Sequence, residues 1–366
     1  MTIMMKIIAV VPGPVKNFRS RVNETLIAQV WSRQPWAVYS EIELSPCPWA
    51  NPMDHVRDRL ILPFALTGAI LAVSTASILI RFAQRDAASL TIAALRLVFA
   101  TLLLAPLGLT RYRTEVRSLR LREVALAASA GLFLAVHFAT WITSLQYTTV
   151  ASSVVLVSTG PIWVALVSPF LLGERLGRAA VVGLGLAIAG GMVIAADDLC
   201  RWSPAIQCTS VDEVLQGRAM WGNLLALGGA WAVTGYLVLG RQLRTTVRLF
   251  PYILVAYGSA AFWLAAAMLA FGQNPLGLPP IAYVWILLLA ILPQLVGHST
   301  YNWALGFLPA ALVAVATLGE PIGSTVLAYV ILHERPSVMV LVGGLLILGG
   351  IYLAARQTEA IPSSPS

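Results

Sequence analysis

From Leu60 onward, apolar runs of about 20 residues alternate with short polar breaks, the length an α-helix needs to cross ~30 Å of hydrocarbon. Ten runs can be marked, near residues 60–80, 88–109, 123–146, 150–172, 178–196, 219–240, 250–271, 281–304, 309–332 and 338–355. The pattern predicts an all-α polytopic membrane protein with ten transmembrane helices. Residues 1–59 read differently, with scattered charges, several prolines and apolar stretches such as IIAVV that are too short for a span or a signal-peptide core. They are expected to form a weakly ordered tail, and Met53, just before DHVRDR, stands as an alternative start.

The runs are written twice. Val157–Arg175 (VSTGPIWVALVSPFLLGER) falls without a gap on Thr317–Arg335 (TLGEPIGSTVLAYVILHER), pairing Pro161 with Pro321, Glu174 with Glu334 and Arg175 with Arg335. The same shift pairs Gly183 with Gly343, Gly190 with Gly350 and Arg81 with Arg241. Self-similarity at a fixed offset decides the architecture before anything else does. Residues 60–196 and 219–355 are two five-helix repeats, joined by a loop at 197–218 and followed by a tail at 356–366. Five spans per copy make the second copy enter the membrane from the opposite side, so the repeats have inverted topology.

Composition agrees with this reading: 58% of residues are hydrophobic and 11% charged, where soluble domains carry about a quarter charged. The formal charge of +8 resides in short clusters between apolar runs, which argues for membrane orientation and against nucleic acid. With both termini cytoplasmic, thirteen arginines fall inside (57, 59, 111, 113, 117, 120, 122, 175, 178, 241, 244, 248, 356) and five outside (81, 85, 201, 218, 335). That places the 197–218 loop outside, where Cys200 and Cys208 could form a bridge or stay free thiols.

Two stretches, GPIWVALVSPFLLGERLGRAAVVGLGLAIAGG and EPIGSTVLAYVILHERPSVMVLVGGLLILGG, each close one span and lead into a glycine-patterned one. Together with the ten-span inverted layout they resemble the EamA branch of the drug/metabolite transporter superfamily. The resemblance covers residues 60–355. It implies a secondary transporter in a bacterial inner membrane, with a central cavity lined by the first four spans of each copy and the fifth spans at the periphery. It also implies a small organic cargo, such as an amino acid, an amine or a drug-like compound, with export favoured. His333 departs from the family's usual glycine at the position of Gly173, a change expected to concern the helix end. A non-transporting membrane subunit, or a lipid-interacting protein reusing this fold, stays open as the second reading.

No GxGxxG after a strand, no GxxxxGK[ST] loop and no HExxH occurs, so neither an enzyme, a cofactor nor a metal centre is predicted. The chemistry is carried instead by isolated polar residues within the spans. His137, Thr140, Trp141 and Ser144 share one face of the third span at i, i+3, i+4 and i+7, and Gln294, His298, Tyr301 and Asn302 share one face of the eighth. A polar stripe in hydrocarbon points inward, because facing lipid leaves its donors and acceptors unpaired. The reading is a substrate cavity lined by His137, Trp141, Ser158, Gln294, His298, Tyr301 and Asn302, with Trp141 and Tyr301 as stacking or cation-binding surfaces. Interhelical hydrogen bonding, worth ~0.6 kcal/mol per contact, is the alternative.

Arg96 lies well inside the second span and Glu320 near the middle of the ninth, where the first copy has Gly160. An ionisable residue at such depth is a functional candidate by default. Glu320 is read as a coupling group for a proton, and Arg96 as counter-ion to it or to a substrate carboxylate. Pro161 and Pro321 interrupt the helical ladder and are expected hinges for alternating access, with one repeat half rocking against the other. Glu174 and Glu334 are read as structural latches. The glycines of the fifth and tenth spans allow close helix approach, either to a neighbouring span or in a homodimer.

Overall fold

The computed structural model describes residues 52–172, 177–197, 200–203, 205–208, 217–333, 335 and 337–356, all within one compact unit, Pro52–Ser366. The first copy contains α1 (Pro52–Ser74), α2 (Ala76–Ala83), α3 (Ser89–Leu109), α4 (Arg113–Arg117), α5 (Leu121–Ser144), α6 (Val150–Val157), α7 (Gly160–Leu171) and α8 (Arg178–Asp197). The second contains α9 (Arg218–Arg244), α10 (Leu249–Ala270), α11 (Pro280–Leu289), α12 (Ser299–Ala304), α13 (Ala310–Ala316), α14 (Gly319–Leu332) and α15 (Val338–Arg356). Between α11 and α12 the chain runs through a nine-residue π-helical segment, Ala290–His298. The sequence predicts no strand, but the loop between the copies holds one hairpin, β1 (Cys200–Ser203) against β2 (Ala205–Cys208), with Cys200 opposite Cys208.

Helices dominate because a bilayer offers backbone groups no partner outside the segment itself. Among the described residues, seven helices or end-to-end helix pairs are long and apolar enough to cross a membrane: Leu62–Ala83, Ser89–Leu109, Leu121–Ser144, Met220–Arg244, Leu249–Ala270, Pro280–Ala304 and Ala310–Leu332. Val150–Val164 and Val181–Val193 are shorter apolar helices. The chain is therefore a polytopic helical membrane protein.

Both copies break within one residue of the same place. α6 ends at Val157 and α7 starts at Gly160, while α13 ends at Ala316 and α14 starts at Gly319. Pro161 and Pro321 thus lie in the first turn of the following helix, where a missing N–H costs nothing. Across each break a tight turn bridges the gap, Ile162 N to Thr159 O at 3.0 Å and Glu320 N to Thr317 O at 2.9 Å. α14 ends on His333, whose φ of 58° is left-handed. That cap suits glycine and strains any side chain by roughly 1–2 kcal/mol. Glu174 and Glu334 lie outside the described residues.

The packing does not follow the repeats. α1 and α2 pack against α11, the π segment and α14 of the other copy, whereas α9 packs against α5, α6 and α7. Hydrogen bonds at the repeat-equivalent residues Ser74 and Thr234 record this exchange: Ser324 Oγ donates to Ser74 O at 3.1 Å, and Thr234 Oγ1 to Gly160 O at 3.4 Å. The opening helix of each copy is thus lodged with the third and fourth spans of the other. α8 and α15 pack tightly on one another, and a Cβ on Gly350 would run into the carbonyl oxygen of Gly183. Gly183 and Gly350 are thus used for close approach within the chain, whereas Gly185, Gly344 and Gly349 meet nothing within 4 Å.

Candidate functional site

The two breaks, α5, α9 and the end of the π segment surround a cavity of about 50 Å³. It is lined by His137, Trp141, Ser158, Pro161, Tyr236, His298, Tyr301, Thr317 and Glu320, drawn from both copies. Since one water needs ~10–15 Å³ by this measure, the space holds a few waters and must widen for anything as large as an amino acid.

Local chemistry fixes the lining. His137 is buried with Nδ1 3.0 Å from Gly229 O on α9, and its ring stacks on Trp141 with centroids 5.8 Å apart. It faces His298 across the interface at 6.5 Å, and His298 in turn meets Tyr301 edge-on at 6.2 Å. Thr140 and Ser144, from the same stripe, turn back onto their own helix, with Thr140 Oγ1 on Val136 O at 2.8 Å and Ser144 Oγ on Trp141 O at 2.6 Å. Ser144 also pairs with Ser153 of α6 at 2.6 Å.

The π segment rearranges the eighth-span residues. Regular α spacing puts Gln294, His298, Tyr301 and Asn302 on one face. The wider turn, seeded at Pro293 where the ladder lacks a donor, splits them into two pairs. His298 and Tyr301 line the cavity, whereas Gln294 and Asn302 are fully buried behind it. Asn302 Nδ2 donates to Tyr236 Oη, to Tyr257 Oη at 3.3 Å and to His298 O at 2.8 Å.

Gln294 receives Arg96, whose Nε donates to Oε1 at 3.1 Å. Arg96 is fully buried, and its guanidinium lies over the ring of Phe138, 4.0 Å from the centroid. Nη1 and Nη2 have no partner among the described residues, and no ion pair within 4.0 Å joins Arg96 to Glu320. Glu320 lies on the cavity wall and Pro321 is buried beside it. Trp141 Nε1 and Tyr301 Oη are likewise buried without partners. Trp141 and Tyr301 thus line the cavity with an unpartnered polar atom each, whereas Arg96, with two, is not among the residues that line it.

Two contributors were not singled out in the sequence. Phe138 hides as an apolar residue next to His137, and nothing in the chain alone marks it as the surface under Arg96. Tyr236 carries a hydroxyl in the middle of α9, the same signal that marks Tyr301, and could have been found by it. Among the described residues no group of three His, Cys, Asp or Glu is placed to hold a metal ion.

A family model described as the EamA-like transporter family matches residues 60–196 and again 220–356. Among curated proteins, the chain is 27% identical over 272 residues to a probable terminal-alkyne amino-acid exporter of Streptantibioticus cattleyicolor, covering 74% of this chain and 82% of that protein. It is 26% identical over 219 residues to an uncharacterized transporter of Archaeoglobus fulgidus, covering 58% and 70% respectively. A solved crystal structure shares the fold at a TM-score of 0.61 and 22% identity, spanning 82% of this chain and 99% of that one. With both repeats matched, the chain belongs to the EamA-like transporter family.

Proposed function

We propose that this protein is a ten-span secondary transporter that moves a small organic metabolite out of the cell across a bacterial inner membrane by alternating access, with both termini cytoplasmic. The carrying observation is the cavity at the meeting point of the two helix breaks, lined from both copies and holding one carboxyl group, Glu320. Side chains with unmet hydrogen bonds line or back this space, as expected where a ligand completes them. The surplus of donors favours a cargo bearing a carboxylate, and the exporter relative points to amino acids. Trp141 and Tyr301 give its apolar part a surface, Arg96 its counter-charge, and Glu320 exchanges a proton during the cycle. The bodies that rock are the exchanged bundles, α1–α2 with α11–α14 against α9 with α5–α7, in place of the two repeats as units, and Pro161 and Pro321 mark the hinges.

Flux into proteoliposomes over a panel of amino acids, amines and monocarboxylates, with and without a pH gradient, tests this reading. At least one carboxylate-bearing compound is expected to be carried, with the gradient accelerating flux in the wild type and not in Glu320→Gln. Saturable transport of none of the panel refutes the transporter, and a Glu320→Gln variant with unchanged gradient dependence refutes the coupling role.

A further inference from the structure

Each copy ends its opening helix in a polar pair that reaches across to the exchanged partner bundle. At the end of α2, Gln84 Nε2 donates to Ile142 O at 2.8 Å in the last turn of α5, and Arg81 Nη2 to Thr148 O at 3.0 Å in the turn that leads into α6. At the end of α9, Arg241 Nη1 donates to Leu305 O at 2.9 Å and Arg244 Nε to Asn302 O at 2.9 Å, at the C-terminal end of α12. Gln84 and Arg244 are repeat equivalents, and so are Ile142 and Asn302. Because the topology is inverted, the two sets lie at opposite faces of the membrane. Each joins α1–α2 or α9 to the bundle that moves against it, so each must release when its own face opens.

The sets are not equal. At the first face one guanidinium and one neutral amide hold the bundles, Gln84 Nε2 is shared with Ser89 Oγ at 3.1 Å, and Arg81 Nε is buried without a partner. At the second face two guanidinium groups act, and Arg244 also donates through Nη1 to Val247 O. Gly306 keeps room for this, since a Cβ there would lie 3.0 Å from Arg244 Nη2. Charged donors make hydrogen bonds roughly twice as strong as neutral ones, and the carbonyls at a helix C-terminus carry partial negative charge that favours a cation.

We propose that Arg81 with Gln84, and Arg241 with Arg244, are repeat-related latches at the two membrane faces, and that the second is the tighter. The resting protein therefore opens more readily on the Arg81 face than on the Arg244 face. These four are positioning residues: they set the balance between the two open states and touch no cargo. The proposal rests on the alternating-access reading above.

The test replaces the three cysteines (47, 200 and 208) with serine and adds Ser158→Cys as a reporter in the cavity. A membrane-impermeant maleimide is then applied to each side of oriented vesicles, and the ratio of labelling rates is read. The parent is expected to label faster from the Arg81 face. Arg244→Gln shifts the ratio about five-fold toward the Arg244 face, the difference between a charged and a neutral donor. Arg244→Lys keeps most of the parental ratio, and Gln84→Arg slows labelling from the Arg81 face. The double exchange Gln84→Arg with Arg244→Gln reverses the preference. Labelling that proceeds with the same ratio in all variants overturns the latches alone. Absence of labelling from either face in every variant overturns the alternating-access reading, and the latches with it. Gln84→Arg keeps a donor at this position for Ile142 O, so a slower ratio in this variant does not reduce to a lost bond.

Discussion

Replacing Arg96 and Gln294 together by Met and Leu separates a charge kept for function from one kept for stability. A charge at mid-span costs ~2.5–3.5 kcal/mol on insertion scales. Against this stand the bond from Nε to Gln294 at 3.1 Å, worth about 1.5–3 kcal/mol for a charged donor, and the contact over Phe138 at 4.0 Å, worth about 2 kcal/mol when desolvated. The terms cancel to within about 1–2 kcal/mol, and the unpartnered Nη1, Nη2 and Gln294 Nε2 leave no further gain to lose. Arg96→Met alone strands a buried amide and should cost about 1–3 kcal/mol, whereas removing both partners is close to neutral. The double variant should therefore unfold within a few degrees of wild type, at about 2–4 °C per kcal/mol, yet carry no cargo. Thermal unfolding in detergent, followed by loss of the monodisperse species on gel filtration, supplies the first readout and proteoliposome flux the second. A melting temperature lowered by about 10 °C or more would make Arg96 a structural tie, and wild-type flux in the double variant would remove it from the site.

Trp141→Ala and Tyr301→Ala should each raise the apparent KM about ten-fold, equivalent to ~1–2 kcal/mol of lost stacking or cation–π contact, with protein yield little changed; intact apparent affinity would remove the aromatic surface. Gly350→Ala pushes a methyl group into Gly183 O and should cost about 1–3 kcal/mol through overpacking, while Gly344→Ala meets nothing within 4 Å and should be neutral. Equal melting temperatures for the two glycine variants would contradict the close α8–α15 packing.

The fold was legible largely through one offset. The shift that aligns Pro161 with Pro321 also predicts that both copies break their helices ahead of the proline, and the breaks at 158–159 and 317–318 stand within one residue of equivalent positions. Glu320 at the second break could be picked out because ionisable residues are rare at that depth. Two features were not legible. The exchange of opening helices between copies is a property of packing, and apolar faces of similar composition do not say which partner they meet. The π segment was invisible to spacing arguments that assume 3.6 residues per turn. Pro293 was the available warning, yet a proline alone does not distinguish a kink from a widened turn, and so Gln294 and Asn302 were expected beside His298 and Tyr301.

The departures from repeat symmetry form one connected set. Where the first copy has Leu134, Phe138 and Ile142, the second has Gln294, His298 and Asn302; where the second has Ala256, the first has Arg96. In space these meet. Arg96 rests on Phe138 and is held by Gln294, Phe138 meets His298 edge-on at 5.3 Å, and Asn302 ties Tyr236 and Tyr257 while its carbonyl receives Arg244. Even the place of His137 is exchanged for Gly297, whose Cβ would run into Val73. A perfectly symmetric inverted pair would make its two open states equal in energy. The substitutions that break the symmetry thus run from the buried charge, past the cavity wall, to Asn302, whose carbonyl oxygen receives Arg244. In the transport cycle proposed above, gradients alone set the net direction, and this asymmetry sets which open state the resting protein favours.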